Sequence, residues 1–280
     1  MLCTEFRFIG TVEKNDIMTP LSRTFNDLLT GGKNWRLWMA LANEDLAQRF
    51  RRTVIGVAWV SITFGLFIGA KVIVFGSIMK VPMAEYALYV TLGFLAWGFI
   101  IASVTDGCSV FANSENWIKG VNTPLSLFIY QSIARNFTML LYSGLAGFLI
   151  LLVMRHPLTF KALMAIPALA IYIVNAMWIS MVMGVITARY RDVLHLVSTA
   201  MRIIFFLTPI LWMPRQFGPG LRKYADYNPF THYLAVFRQP ILYDDFAWRS
   251  WIIVLCITAV GVILGLAVFS KFRKRIVFWL

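Results

Sequence analysis

Long apolar runs separated by short polar segments dominate the chain. Six runs are long enough to cross a membrane as a helix, which takes about 20 consecutive apolar residues. They cover residues 55–79, 84–112, 124–154, 162–188, 193–213 and 247–270. Because a helix satisfies its own backbone hydrogen bonds in lipid, the pattern predicts an all-α membrane protein with six transmembrane helices.

The segment before the first apolar run has a different pattern. Between residues 34 and 54, apolar residues recur at helical spacing and charged residues fill the opposite face. This predicts an amphipathic helix in the membrane interface, which either only anchors the chain or also receives a soluble partner on its charged face. Residues 1–33 are mixed, with Pro20 and Gly31-Gly32 as breakers, and predict a loosely structured cytoplasmic tail.

Residues 215–245, between the fifth and sixth runs, are too interrupted to cross a membrane and too apolar for an ordinary solvated loop. We expect two short re-entrant helices within residues 216–243. Pro219 would begin the first, Asn228 and Pro229 would cap and begin the second, and Pro240 would end it. An extended loop on the far side of the membrane is the alternative.

The composition supports a membrane protein. Hydrophobic residues make up 59% of the chain, charged residues 14%, and the mean hydropathy is +0.71. The net charge of +13 does not indicate nucleic-acid binding, because the basic residues gather at the ends of apolar runs. Basic segments before the first run and after the last predict that both termini are cytoplasmic. Residues 34–280 then form one transmembrane domain.

No residue pattern predicts catalysis or cofactor binding. The three cysteines are scattered, the histidines fall in separate segments, and the chain has no phosphate-binding loop for ATP. We therefore predict no catalytic residue, no metal site and no cofactor bound by this chain. A membrane-embedded transferase, the main alternative from another class, would need acids or histidines converging at one membrane face.

Two cations and several aromatic side chains inside the predicted spans are candidates for a substrate path. Arg135 and Arg202 lie deep in their spans, where a guanidinium is costly unless it has a partner or faces a wet cavity. Each therefore either forms a structural pair or lines a cavity that contacts anionic or polyhydroxylated cargo. Flat side chains suit the apolar faces of sugar rings as a set, whereas packing or contact with lipid accounts for any one of them. The aromatic candidates are Trp97, Tyr142, Phe205 and Phe206.

An ordered set of short motifs resembles the membrane subunits of ABC-2 type exporters of bacterial polysaccharides, and O-antigen exporters in particular. The set runs through Arg49-Phe50-Arg51-Arg52, the turn from Trp117 to Pro124, Arg189-Tyr190-Arg191-Asp192, Thr208-Pro209-Ile210, and Asn228-Pro229-Phe230 with Arg238. It covers residues 34 to 275 in order.

The resemblance implies a homodimer that works with two copies of a cytoplasmic ATPase subunit, which would bind ATP and Mg²⁺. A coupling helix would lie between the second and third spans, and gate helices between the fifth and sixth. The residues expected to couple to the ATPase are Glu115, Asn116, Trp117, Ile118, Lys119, Arg189, Tyr190, Arg191, Asp192, Arg49, Arg51 and Arg52. The expected gate residues are Pro219, Asn228, Pro229, Phe230 and Arg238.

The implied function is export of a lipid-linked polysaccharide across the bacterial inner membrane, with O-antigen as the leading candidate substrate. Export of capsule or teichoic acid, or of a small molecule or lipid, stays open.

Overall fold

A computed structural model describes residues 19–76 and 81–280, and within these residues the chain is helical and contains no strand. The α-helices are α1 (Pro20–Lys33), α2 (Trp35–Arg49), α3 (Trp59–Gly76), α4 (Met83–Ser109), α5 (Glu115–Gly120), α6 (Ser126–Val153), α7 (Ala165–Arg189), α8 (Val193–Leu207), α9 (Pro219–Tyr227), α10 (Pro229–Leu242) and α11 (Trp248–Trp279).

Five helices of the described chain are long and apolar enough to cross a membrane: α3, α4, α6, α7 and α11. They confirm an all-α membrane protein and match five of the six predicted spans. The end of the first predicted span, residues 77–79, lies outside the described residues. The last helix, α11, runs to Trp279, well past the predicted end at residue 270.

The helix in the predicted fifth span, residues 193–213, is shorter than expected. α8 begins at Val193 and ends at Leu207, and its 15 residues cover only ~22 Å, less than a ~30 Å hydrocarbon layer. Pro209 has no N–H to donate and disfavours a helical conformation at the residue before it. Thr208 accordingly takes an extended conformation, with φ −95° and ψ 139°.

α4 is the central helix of the bundle. It touches α3, α6, α7, α8 and α10, and most of its residues are buried. Small residues allow close helix contacts on both sides of α7, as is common in membrane helix packing. A Cβ on Gly107 of α4 would stand 3.2 Å from the Cα of Ser180, and one on Gly261 of α11 would overlap the Trp178 ring.

The prediction of a loosely structured tail is wrong for residues 20–33, which form α1. Thr19 caps this helix by accepting from Ser22 N, and Pro20 stands at its first position, where a missing N–H costs nothing. Gly31 does not break it. Residues 1–18 lie outside the described residues.

α1 has an unusual distribution of side chains. Its buried face carries Thr24, Asp27 and Gly31, whereas the large side chains spaced four residues apart point outward and are 48–62% exposed. Those exposed residues are Leu21, Phe25 and Leu29. An apolar outer face in a chain with several membrane spans suits contact with lipid at the interface.

The predicted interface helix, residues 34–54, is present as α2 but ends at Arg49. Beyond it the chain turns, and Arg52 adopts a left-handed φ of 65°, which no helix can include. α2 packs along α6: Ala42 and Leu46 are buried, and the Trp38 ring stacks on Tyr130 with centroids 6.0 Å apart.

One end of the bundle carries α5, the turn between α7 and α8, and the termini of α1 and α11. α5 and α1 both contact α11, and Arg191 donates to the Leu280 carbonyl. We call this the α5 end. The opposite end carries α9, α10 and the start of α4, and we call it the α10 end.

Candidate functional site

The segment that follows α8 is non-helical backbone inside the bundle. Thr208, Pro209 and Ile210 are buried, and Leu211 and Trp212 are half-buried. Because the backbone here is buried and forms no helix, its carbonyl groups need hydrogen-bond donors from other parts of the bundle. We call residues 208–212 the break segment.

Side chains of α4 and α10 supply those donors. Tyr86 donates to the Leu211 carbonyl at 2.9 Å, and the Tyr89 hydroxyl lies 2.9 Å from the Pro209 carbonyl and 3.1 Å from that of Trp212. Arg238 Nη1 donates to the same Pro209 carbonyl at 3.1 Å. The break segment is therefore held by a central helix on one side and by α10 on the other.

Asn228 joins the end of α8 to the start of α10. Its Oδ1 accepts from Phe230 N at 3.0 Å and so caps α10, while its Nδ2 donates to the Leu207 carbonyl at 3.3 Å and to Thr208 Oγ1 at 3.1 Å. Pro229 occupies the first position of α10. This confirms the predicted helix start, and the link to α8 is an additional role that the sequence does not reveal.

Polar side chains also fasten α10 to the bundle. Asn175 of α7 accepts from the Tyr233 hydroxyl at 2.7 Å and donates to Thr258 Oγ1 of α11 at 2.7 Å. His232 lies 3.0 Å from Ser250 Oγ and 2.9 Å from the Asp226 carbonyl. Pro240 does not end α10 as predicted, because the helix continues to Leu242. Pro219 begins α9 as predicted.

Most of the predicted path aromatics lie together. Trp97 is buried against Phe205 and Phe230, with ring centroids 6.0 and 5.6 Å apart, and Phe205 contacts Phe206 at 5.1 Å. Phe206 is 70% exposed. Tyr142 lies on α6, and in the described part of the chain its ring contacts none of these rings.

Two further rings extend this aromatic row to α3. Phe94 of α4 contacts Phe205 at 5.5 Å, and Phe67 of α3 contacts Phe94 at 4.9 Å. Nothing in the sequence pattern singles out Phe67. The row therefore runs from α8 across α4 to α3.

The two candidate cations differ sharply. Arg135 is neutralised: Nη1 binds Asp45 of α2 at 2.6 Å and Nη2 binds Asp106 of α4 at 2.9 Å. Gln131 also donates to Asp45 at 2.9 Å. Of the two alternatives, Arg135 therefore forms the structural pair. Asp45 belongs to the charged residues of segment 34–54 that we expected on the solvated face of the helix, but its side chain contacts α6 instead.

Arg202 is exposed, and among residues 19–76 and 81–280 no carboxylate lies within ion-pairing distance of it or of Lys71. Lys71 lies 5.1 and 5.7 Å from the centroids of Phe67 and Phe75. A cation in mid-membrane costs about 2.5–3.5 kcal/mol. Ring contacts return only about 0.5–2 kcal/mol, so neither charge is fully compensated.

The short helix predicted between the second and third spans is present as α5. Ile118 anchors α5 in the core, while Asn116, Trp117 and Lys119 are exposed. The hydrogen bond and charge of Lys119, 2.6 Å from Glu115, lower the pKa of Glu115, and Arg191 contributes further. α5 and the turn after α7 are thus electrostatic neighbours.

The remaining predicted coupling residues are all at the surface. Arg189 Nε donates to the Tyr190 hydroxyl at 3.0 Å, and its guanidinium lies 5.2 Å from the centroid of Trp279. Arg191 donates to the Leu280 carbonyl at 3.4 Å. Asp192 precedes α8 and is exposed, as are Arg49 at the end of α2 and Arg51 and Arg52 in the turn after it.

A buried carboxylate at the α5 end was missed. Asp27 of α1 accepts from the backbone N–H groups of Leu125 and Ser126, at 3.2 and 2.9 Å, and forms an ion pair with Arg273 of α11. It therefore caps the start of α6 and also links α1 to α11. Thr19-Pro20 and the spacing of Leu21, Phe25 and Leu29 were the available signals for α1.

Comparison with known proteins gives consistent matches. Residues 36–242 match the family described as ABC-2 type transporter. An O-antigen export system permease protein RfbA of Klebsiella pneumoniae is 25% identical over 243 residues, which are 85% of this chain and 93% of that protein. A protein of the same name from Myxococcus xanthus is 21% identical over 245 residues, covering 85% and 92% respectively.

Proposed function

Since the chain belongs to the ABC-2 type transporter family, we propose that it is the permease subunit of an ATP-driven exporter. The exporter moves a lipid-linked polysaccharide, with O-antigen as the leading candidate, across the bacterial inner membrane. The observation that carries the proposal is the similarity to O-antigen export permeases over 85% of this chain and over 92–93% of theirs. Such end-to-end similarity covers the coupling and gate regions alike.

The ATPase would dock at the α5 end, in two copies, and would supply the ATP and Mg²⁺ sites. The support is the shape and charge of that end: α5 is a short rigid helix with an exposed Trp117, anchored by Ile118, beside the charged turn of Arg189, Arg191 and Asp192. Arg49, Arg51 and Arg52 add positive charge after α2. On this proposal the α5 end and both termini face the cytoplasm.

The α10 end would carry the gate. In the proposed topology α8 and the break segment together make the fifth of six crossings. α9 and α10 then enter the membrane from the far side and return. The hydrogen bonds from Tyr86, Tyr89 and Arg238 support this arrangement, because non-helical backbone at membrane depth requires donors of this kind. Pro219, Asn228, Pro229 and Phe230 would set the two gate helices.

Two copies of the chain would enclose the path for the polysaccharide. A glycan too long to be enclosed must be threaded, so its path needs many weak and similar contacts. Phe205, Phe206 and Tyr142 would offer flat surfaces to sugar rings, with Trp97 packed behind Phe205, and Arg202 would offer a positive charge. Arg135, whose charge is already matched, would hold α2, α4 and α6 together.

The test is to delete the gene and identify the glycan lost from the cell surface. We expect loss of the long-chain glycan with accumulation of its lipid-linked form inside the cell, and restoration by the intact chain. Loss of capsule or teichoic acid instead would identify that polymer as the substrate. A normal set of surface glycans would contradict the proposal.

A further inference from the structure

The surface between α3 and α8 forms an open cleft with α4 as its floor. Both helices touch α4, and helices in contact have axes about 8–10 Å apart. Between them Phe94 is half-buried and Gly98 is exposed. Apart from the adjoining residues and the backbone of α4 itself, no atom of the described chain lies within 4 Å of where a Gly98 Cβ would be. The floor therefore lacks a covering side chain at this point.

The aromatic row crosses this cleft. Phe67 on the α3 wall contacts Phe94 on the floor, which contacts Phe205 on the α8 wall. Phe67 is 44% exposed and Phe206, beside Phe205, is 70% exposed. The cleft is therefore lined by ring faces at one level along the helix axes.

One cation stands on each side of the row. α3 and α8 both run from the α5 end toward the α10 end. Lys71 follows Phe67 by one helical turn, whereas Arg202 precedes Phe206 by one turn. Their Cα atoms are then about 10 Å apart along the axes, with the rings between them. Neither is matched by a carboxylate of the described chain, in contrast to Arg135.

Two uncompensated positive charges beside an uncovered floor select an anion as the occupant. Arg202 offers a planar fork of N–H donors, and Lys71 a compact ammonium with three. An anion with several oxygens, such as a phosphate or diphosphate ester, can accept from both, while its apolar or sugar portion lies against the rings. A single carboxylate carries only one negative charge for these two cations, whereas a diphosphate ester carries more than one.

We propose that the cleft between α3 and α8 binds the phosphoryl group of a lipid-linked substrate between Lys71 and Arg202. This assignment rests on the proposed export function, and it adds Lys71, Phe67 and the uncovered floor at Gly98 to the predicted path. In this site the phosphoryl group would lie beside the aromatic row, with Arg202 toward the α5 end and Lys71 toward the α10 end.

The experiment measures binding of a fluorescent polyprenyl diphosphate to the purified full-length chain in nanodiscs of neutral phosphatidylcholine. We expect Lys71→Gln and Arg202→Gln each to weaken binding by about tenfold or more, which is the usual effect of losing a charged hydrogen bond. Lys71→Arg should keep most of the affinity. Arg249→Gln, which removes an exposed cation from the start of α11, is the matched control and should bind as the parent does.

Two competitors distinguish the source of the phosphoryl group. Displacement by unlabelled polyprenyl diphosphate, with little effect of phosphatidylglycerol, supports the proposal. Equal displacement by phosphatidylglycerol would show a site for bilayer headgroups and would overturn it. Undiminished binding by both glutamine variants would also overturn it, provided that their yield and size-exclusion profiles match the parent.

The binding assay requires neither transport nor the ATPase. If the deletion strain keeps all surface glycans, the export function fails whatever the nanodiscs show. If export is confirmed and the glutamine variants bind normally, only the phosphoryl site fails.

Discussion

The Arg238 guanidinium lies 3.7 Å from the ring centroid of Tyr89, and both side chains reach the carbonyl oxygen of Pro209. The aromatic ring faces the cation, which reduces the cost of burying it. Arg238 is only 5% exposed. The pair therefore fixes α4, α10 and the break segment to one another.

Replacing Arg238 should loosen this junction. Arg238→Gln removes the cation–π contact and the charged donor, and we expect the free energy of unfolding to fall by about 1–3 kcal/mol. The measurement is thermal unfolding in detergent together with surface glycan in complemented cells. Lys223→Gln removes an exposed charge from α9 in the same segment and serves as the control. Equal stability of the two variants would remove Arg238 from this role.

Substitutions at Asn228 separate its two functions. Asn228→Asp keeps the oxygen that caps α10 but loses the donor to Leu207, whereas Asn228→Ala loses both. We expect the alanine variant to lose about 1–2 kcal/mol more than the aspartate variant, which is a typical value for an N-cap. Chemical denaturation of purified variants measures this difference. An aspartate variant as unstable as alanine would mean that the link to α8 dominates.

The Arg135 network predicts a non-additive set of variants. Arg135→Gln leaves Asp45 and Asp106 close together without a cation, and we expect a loss of about 1–3 kcal/mol because the groups are only partly buried. Combining it with Asp45→Asn and Asp106→Asn removes the repulsion and should recover much of the stability. The comparison uses unfolding midpoints of the single and triple variants. A triple variant less stable than Arg135→Gln would contradict the pairing.

Arg191 should affect coupling more than assembly. Arg191→Ala removes the charge beside Glu115 and the bond to the Leu280 carbonyl, so the α7–α8 turn no longer restrains α5. With the ATPase subunit present, we expect normal complex yield and continued ATP hydrolysis with export lowered about tenfold. Arg36→Ala, another exposed arginine, is the control. Export by the purified chain without any ATPase would contradict energy coupling altogether.

Asp244 makes one loop contact sensitive to acid. Hydrogen bonds from Thr159 and then Lys161, at 2.6 and 3.1 Å, lower the pKa of Asp244. A lowered folded pKa means that the contact stabilises the protein above the ordinary aspartate pKa and is lost as pH falls below it. We expect hydrogen exchange in residues 159–164 to accelerate, at matched intrinsic rate, between about pH 5 and about pH 2.

Asp244→Asn is the internal test of that assignment. It cannot titrate, so exchange in the same segment should no longer depend on acid, while Asp245→Asn should leave the dependence in place. Persistence of the effect in Asp244→Asn would assign it to another group.

The sequence predicted the long spans well because twenty apolar residues in a row have few alternatives to crossing a membrane. It also predicted α5 and the starts of α9 and α10, since Pro219, Asn228 and Pro229 act on their immediate neighbours. The roles of Tyr86, Tyr89 and Asp45 were missed because each partner lies far away along the chain. Thr208-Pro209 indicates that α8 ends before Pro209, but the apolar residues that follow led us to extend the predicted span to residue 213.

The junction of Asp27 with Arg273 sets an order of assembly. Arg273 also donates to the Arg23 carbonyl, 250 residues away in sequence, so α1 and α11 meet across nearly the whole chain. During synthesis α1 emerges well before its partner on α11. Until α11 is inserted, the Asp27 carboxylate has only the N–H groups of α6 as partners. Closure of this junction therefore follows the insertion of α11, and it marks a bundle in which all five spans of the described chain are in place.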